Sequence, residues 1–271
     1  MTRLRILTLV LVLAFGLLKG ADAQDKPLSF GVLNQQSPAL TAERWNPILH
    51  YLTTVSGVPL QLKMGPTAEQ TDAMMGRGDF DFVYTNHNFQ SEFDRIQFKV
   101  LARWAGEPIR GVLAVPADSD VRTVKALDGK RIGFPSPDAF VAYAVPLVIL
   151  RQNGVKVTEV FAGNQEGVLA QLKAKRIDAG AVNSRFLRDY QDRENVRFRE
   201  IWVSDGYPDL AVIAHPRTPA PIVEKVRQAL LGLKDDPKAA ALREQIRFKG
   251  FEAATEKDYE GVRRVYRQIG Q

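Results

Sequence analysis

The stretch GDFDFVYTNHNF (residues 78–89) has a counterpart in IDAGAVNSRFL (177–187), and this pair decides how the rest of the chain is read. Asp81 answers Asp178, and Asn86 answers Asn183, both at a spacing of 97 residues. In each copy a short strand (79–85 and 177–182) runs directly into polar side chains. In the first copy these are Tyr84, Thr85, Asn86 and His87; in the second they are Asn183 and Ser184, with Arg185 beside them. Hydrogen-bonding groups gathered just past the carboxyl end of a strand suit the ligand-facing edge of a parallel sheet.

The elements before each copy repeat as well. LSFGVL (28–33), a helix from Thr41 to Val55, VPLQLKM (58–64) and a helix from Ala68 to Met75 precede the first. KRIGF (130–134), a helix from Ala139 to Gln152, VTEVFA (157–162) and a helix from Glu166 to Lys175 precede the second. FKVLARW (98–104) and REIWVS (199–204) follow as closing strands. Ser37-Pro38 matches Ser136-Pro137 and Pro47 matches Pro146 at a spacing of 99, while Gly57-Val58 matches Gly154-Val155 at 97. Strands alternating with helices of this length build βαβ units, so the expected class is α/β: two similar lobes, each around a central, mostly parallel sheet.

The segments AGEPIRGVLAVPADSD (105–120) and DGYPDLAVIAHP (205–216) would carry the chain out of the first lobe and back, forming a two-segment hinge rich in Pro, Gly and Asp. The expected organisation is a first lobe from 24–110, a second over 111–205, and a return at 206–271 whose helical tail packs on the first lobe. Residues 1–23 read as a secretory signal. Arg3 and Arg5 precede an apolar run from Ile6 to Leu18, and Ala21-Asp22-Ala23 is a cleavage site that leaves Gln24 first. The chain is therefore expected in the periplasm.

Composition narrows the function. With no cysteine there are no disulfides, no thiolate metal sites and no lipid-anchor cysteine. The balance of 37 basic against 31 acidic residues becomes 34 against 30 once the leader is removed. That mild basicity has no Lys/Arg block of the kind a nucleic-acid protein shows, and it suits a small anionic solute. The three histidines, at 50, 87 and 215, have no metal-ligand spacing, and no cofactor is expected. No nucleophile, base and acid set emerges, and P-loop, Rossmann and G-x-S-x-G fingerprints are absent, so an enzyme is not expected. Asp79, Asp81 and Asp178 stand at strand starts, the end away from any cleft.

Ser37 and Ser136 each lie between a first strand and a helix, followed by Pro at the first turn. Either serine is a cap, or it offers a hydroxyl at a helix end that favours anions; Thr41 competes with Ser37 for the cap. Asn86 and Asn183 divide in the same way between capping and ligand contact. His87 divides between ligand contact, capping and exposure.

These residues resemble those of type II periplasmic binding proteins. DSDVRTVKALDGKRIGF (118–134) is similar to that class's entry to the second lobe. FGVLNQQSPALTAERWNPILHYL (30–52), DFDFVYTNHNF (79–89) and FAGNQEGVLAQLKAKRIDAGAVNSRFL (161–187) resemble the phosphate/phosphite/phosphonate-binding family. The resemblance spans nearly the whole chain after the leader. It implies a solute receptor for an ABC transporter, with two lobes closing on a small oxyanion and a permease as partner. The same module can instead report to a sensor histidine kinase. A monomer is expected. The family's pocket uses hydroxyls at the N-terminus of the second lobe's first helix, where only Ser136 keeps one and Asp138 stands nearby. The resemblance further places Asn164 where the family has a pocket histidine, puts Asp209 beside Tyr207 at a pocket acid, and retains Tyr84 and Thr85.

Overall fold

The apolar run at the start of the first lobe forms β1 (Leu28–Val32) and delivers the chain to a polar loop whose Ser37 caps α1 (Pro38–Ser56). The Ser37 hydroxyl accepts from the Leu40 N–H at 3.4 Å, and Pro38 occupies the first turn, where no N–H is needed. Thr41 is thereby a residue of the helix, and its hydroxyl donates back to the Ser37 carbonyl at 2.9 Å. Gly57, at φ 68°, ends α1 in the left-handed conformation that glycine adopts without strain. The structure, a computed structural model, describes residues 26–271, so the leader expected at 1–23 lies outside the described residues.

From there follow β2 (Leu60–Lys63), α2 (Ala68–Gly76), β3 (Phe82–Thr85), the single turn α3 (Ser91–Asp94) and β4 (Lys99–Trp104). The chain then crosses to β5 (Gly111–Pro116), β6 (Arg131–Phe134), α4 (Val145–Gln152), β7 (Thr158–Phe161), α5 (Gln165–Lys173), β8 (Ala179–Asn183), α6 (Ser184–Glu194) and β9 (Phe198–Val203). It returns through β10 (Ala211–Ala214), α7 (Ala220–Gly232), α8 (Ala240–Gln245), β11 (Phe251–Ala253) and α9 (Glu260–Ile269).

The two sheets share one plan. The first runs β2-β1-β3-β10-β4 with β11 on its edge; the second runs β7-β6-β8-β5-β9. In both, three parallel strands meet an antiparallel fourth that comes from the segment just after a crossing, β10 in one sheet and β5 in the other. The duplication reaches single side chains. Asp81 Oδ2 accepts from the Ser29 N–H (2.8 Å) and hydroxyl (2.7 Å) at the start of β1, and Asp178 Oδ2 accepts from the Arg131 N–H (2.9 Å) at the start of β6. Burial raises the Asp81 pKa, but the Ser29 hydrogen bonds and Arg217 outweigh it and hold the carboxyl below 3.8. These acids pin strand starts, at the sheet end opposite the cleft.

The first lobe's core is aromatic: Trp45 of α1 packs on Phe30 (5.6 Å between ring centroids), Tyr84 (4.7 Å) and Trp104 (6.2 Å). In the second lobe the alternation along β5 serves both sheet faces. Leu113 and Val115 join Ile132, Phe134 and Leu150 on one side; Val112 and Ala114 join Val168, Leu172 and Leu187 on the other. Each such fully buried Leu, Val or Phe contributes about 1.5–3 kcal/mol from removal of apolar surface from water.

Three departures from the sequence reading bear on the cleft. The helix expected over Ala139–Gln152 begins as a π-helical turn, Phe140–Ala144, before α4 takes over at Val145. Pro146 has no N–H for the preceding carbonyls, and the turn before it widens, with Ala144 N–H reaching the Ala139 carbonyl. The widened turn presses the Val141 carbonyl onto Gly111, where a Cβ would lie 2.2 Å from that oxygen. The tail is not wholly helical, because Phe251–Ala253 extends the first sheet beside β4. Nor does the tail pack on the first lobe alone. From α9, Tyr266 donates to the Asp138 carbonyl at 2.9 Å and lies 5.2 Å from the Phe140 ring of the second lobe. The crossings pair with one another, since Ile109 and Tyr207 exchange both backbone hydrogen bonds at 2.8 and 2.9 Å.

Candidate functional site

The carboxyl ends of the parallel strands in both sheets face one cleft, which holds two adjoining chambers with Leu33 and Gln35 in the wall of each. The loop after β1 that lines both is held from below. Asn34 donates to the Gly65 carbonyl (2.8 Å), and Thr71 donates to Asn34 Oδ1 (2.6 Å) while accepting from the Gly65 N–H (2.9 Å). A buried network with every partner in place keeps such a loop in one conformation.

The first chamber is lined by Asn86 and His87 from the first lobe and by Ser136, Phe140 and Gln165 from the second. Ser136 lies in the loop between β6 and the π-helical turn, four residues before Phe140, and is 6 % exposed. Its hydroxyl has no hydrogen-bond partner among the described residues. A buried hydroxyl without a partner is costly in a core, and here it faces a chamber.

His87 reaches this wall through a tight turn in which Thr85 Oγ1 accepts its N–H at 3.0 Å. Its Nδ1 lies 2.7 Å from Asp72 Oδ2, with both side chains buried. Burial works against the imidazolium, but the Asp72 carboxylate, its hydrogen bond and the more distant Asp138 outweigh it, so the His87 pKa is raised above 6.5. A histidine whose folded pKa exceeds its unfolded value stabilises the fold fully below the unfolded pKa, and that contribution is lost as pH rises through the folded pKa. Urea unfolding should therefore show stability falling as pH rises above about 6.5 through the folded pKa, and His87→Gln should remove that part of the slope. Equal slopes in the two proteins would show that the Asp72 pair is not formed.

The second chamber is aromatic and cationic. Trp45, Tyr84 and Trp104 form its floor, and Arg44, Asn183 and Arg185 its walls. Asn183 caps α6, accepting from the Arg185 N–H at 2.9 Å, while its own N–H donates to Gln165 Oε1 at 2.7 Å. Arg185 Nη2 donates to Asp209 Oδ2 at 2.5 Å, joining α6 of the second lobe to the strand that re-enters the first. Burial raises the Tyr84 pKa well above 10, with Asp209 acting in the same direction, so its hydroxyl stays protonated and can donate.

The structure thus brings Tyr84, Asn86, His87, Ser136 and Asn183 to the chamber walls and sets Asp209 directly behind them. Other candidates are engaged elsewhere. Ser37 caps α1, and Asn164 caps α5 by accepting from the Gly167 N–H at 2.8 Å, which leaves the next residue, Gln165, to line the wall. Thr85 serves the turn before His87, and Ser184 opens α6 with its N–H on the Arg110 carbonyl (2.9 Å). Tyr207 sits in the crossing with its ring 4.9 Å from that of Phe140. Asp138 lies at the seam between the lobes, its carbonyl accepting from Gln90 (3.1 Å) and Tyr266. Burial, reinforced by Asp72 and Glu92 and opposed by His87, raises its carboxyl pKa.

Arg44, Trp45, Trp104, Asp72 and Gln165 were not among the expected site residues. The available signal was the run Glu43-Arg44-Trp45 in the first helix, where a charge adjoins a large aromatic two turns past the cap. Among the described residues no group of three or more His, Cys, Asp or Glu is placed to hold a metal ion.

Two lobes of matching sheet order, joined by paired crossings and facing one polar cleft, define a bilobed solute-binding protein of type II topology. A family model described as "ABC transporter, phosphonate, periplasmic substrate-binding protein" matches residues 30–259, and the chain belongs to that family. It is 22 % identical over 262 residues to the phosphonates-binding periplasmic protein of Escherichia coli K12, spanning 90 % of this chain and 77 % of that one. Among solved structures it is similar to PhnD1 from Prochlorococcus marinus in complex with methylphosphonate (TM-score 0.78, 18 % identity, covering 90 % of this chain and 98 % of that one). It is also similar to a binding protein component of an ABC phosphonate transporter from Pseudomonas aeruginosa (TM-score 0.79, 16 % identity, 89 % and 86 %). At these identities the structural likenesses establish the fold.

Proposed function

We propose that this protein is the periplasmic receptor of an ABC transporter, taking a small phosphonate or related oxyanion into the cleft and presenting it to the permease. The reading rests above all on Ser136, a buried hydroxyl without a partner among the described residues that shares the wall of the first chamber with Asn86 and His87. The ligand's oxyanion accepts from Ser136, from the Asn86 amide and from the protonated Tyr84 hydroxyl of the adjoining chamber. The protein acts as a monomer, exported by the leader at 1–23. Its lobes, 24–110 with 206–271 and 111–205, close about the paired crossings at Ile109 and Tyr207. A ligand that touches both lobes favours the closed form because only that form makes both sets of contacts.

The test is calorimetry and thermal shift on the protein from Gln24 onward with methylphosphonate, phosphite, phosphate and sulfate. A ligand that binds only the folded state raises the melting temperature by mass action, and at least one phosphorus oxyanion is expected to do so well beyond sulfate. Small-angle scattering should show a smaller radius of gyration with that ligand. Silence from every phosphorus oxyanion would overturn the ligand class, and an unchanged radius would overturn closure.

A further inference from the structure

The cleft carries an arginine that has no ion-pair partner among the described residues. Arg44 reaches the second chamber from α1 with its guanidinium carbon 4.8 Å from the centroid of the Trp104 ring. Its Nε is buried without a hydrogen-bond partner, and among the described residues no carboxylate lies within ion-pair distance of it. Arg185 stands over the same ring at 5.9 Å, but its charge is matched by Asp209. Asp189 lies on the exposed rim and forms no ion pair with either arginine. Asp209, the acid that family resemblance places in the pocket, is therefore paired with Arg185, and Arg44, half-buried and with Tyr84, Asp189 and Asp209 acting on it only at longer range, is left without an ion pair among the described residues.

We infer that the ligand carries a second anionic group, a carboxylate seated against Arg44, so that the preferred substrates are phosphonates with an acidic tail. This rests on the proposed phosphonate reading and names the class of ligand within it. A guanidinium laid against an aromatic ring keeps its N–H edge available for bidentate pairing with a carboxylate. An ammonium tail would meet Arg44 and Arg185 with like charge and find Asp209 already paired. The cleft then reads a molecule at both ends, one oxyanion at Ser136 and the other at Arg44, past the loop at Leu33 and Gln35 that lines both chambers.

Calorimetry would compare ethylphosphonate, 3-phosphonopropionate and 2-aminoethylphosphonate, which differ in the tail alone, with phosphonoacetate and 4-phosphonobutyrate to vary the spacing. The best acidic compound is expected to bind about 10- to 100-fold more tightly than ethylphosphonate, the fold-change of one hydrogen-bonded charge pair, and the amine more weakly than ethylphosphonate. Arg44→Gln should cost the acidic compound much more affinity than it costs ethylphosphonate, so that the preference between them collapses; Arg44→Lys should keep part of the preference. Circular dichroism would confirm that both variants fold, and the comparison of tails in the unaltered protein decides the matter if they do not. Ethylphosphonate or the amine binding as tightly as every acidic compound would overturn this inference and leave the proposed function standing. Failure of every phosphonate to bind would overturn this inference, and the proposed function with it only if phosphite and phosphate also fail.

Discussion

Arg185→Met is expected to lower the melting temperature by roughly 6–12 °C, the equivalent of about 3 kcal/mol in a protein of this size. Asp209 is 3 % exposed, with one carboxylate oxygen on Arg185 and the other on the Leu210 N–H at 2.8 Å. Taking away the guanidinium leaves a carboxylate in a place that water does not reach, and the penalty is that of an uncompensated buried charge, not of a lost surface pair. Because the partners lie on opposite lobes, the same change removes a contact across the cleft. Adding Asp209→Asn to the Met variant should recover most of the loss, since a neutral amide needs no counter-ion and its oxygen can still accept from Leu210. Differential scanning calorimetry of the three proteins checks this. A single variant melting within a degree of the unaltered protein would mean that the bridge does not form in solution.

Ser136→Ala should separate stability from binding. Most substitutions of a buried polar residue cost stability, but this hydroxyl has no partner to lose. Its removal relieves desolvation, so the variant is expected to melt at the same temperature or a few degrees higher, a gain of up to about 1 kcal/mol. Affinity should move the other way, by about 10- to 100-fold, as a hydrogen bond to a charged oxyanion disappears. Calorimetry and thermal melting on one preparation give both quantities. A variant that melts lower and binds normally would place the hydroxyl in the fold and remove it from the site.

Much of the architecture was legible because it is written twice. Asp81 and Asp178 make equivalent contacts to the start of β1 and of β6, and Asn86 and Asn183 stand at the carboxyl ends of β3 and β8, so a local reading of one copy checks the other. The antiparallel place of β10 was less legible, since four apolar residues carry no mark of which neighbours they will pair with. Residues at helix starts could be found because caps follow local chemistry, and this favoured Ser136 and Asn183. At Asn164, which the family resemblance put forward, the side chain caps its own helix and the next residue, Gln165, lines the chamber. Arg44 and Asp72 lie within helices, and which face of a helix meets the cleft depends on how it is seated on the sheet. The Arg185–Asp209 pair depends in turn on how the two lobes meet, which no short window contains.

The position of β10 also orders events in time. It lies between β3 and β4, yet more than a hundred residues of chain separate it from β4. As the polypeptide emerges amino end first, β5 to β9 are complete while the first sheet still lacks its middle strand, and Phe82–Thr85 cannot pair with Lys99–Trp104 through it. The carboxyl-terminal lobe can thus condense from a contiguous stretch, whereas the amino-terminal one must wait, its aromatic core exposed, for a late and distant closure that is slow by virtue of its loop entropy. A chain truncated before Ala211 would hold every strand of one lobe and an open gap in the other. It is in that interval, before the last sixty residues arrive, that this protein is most exposed to aggregation and to proteases.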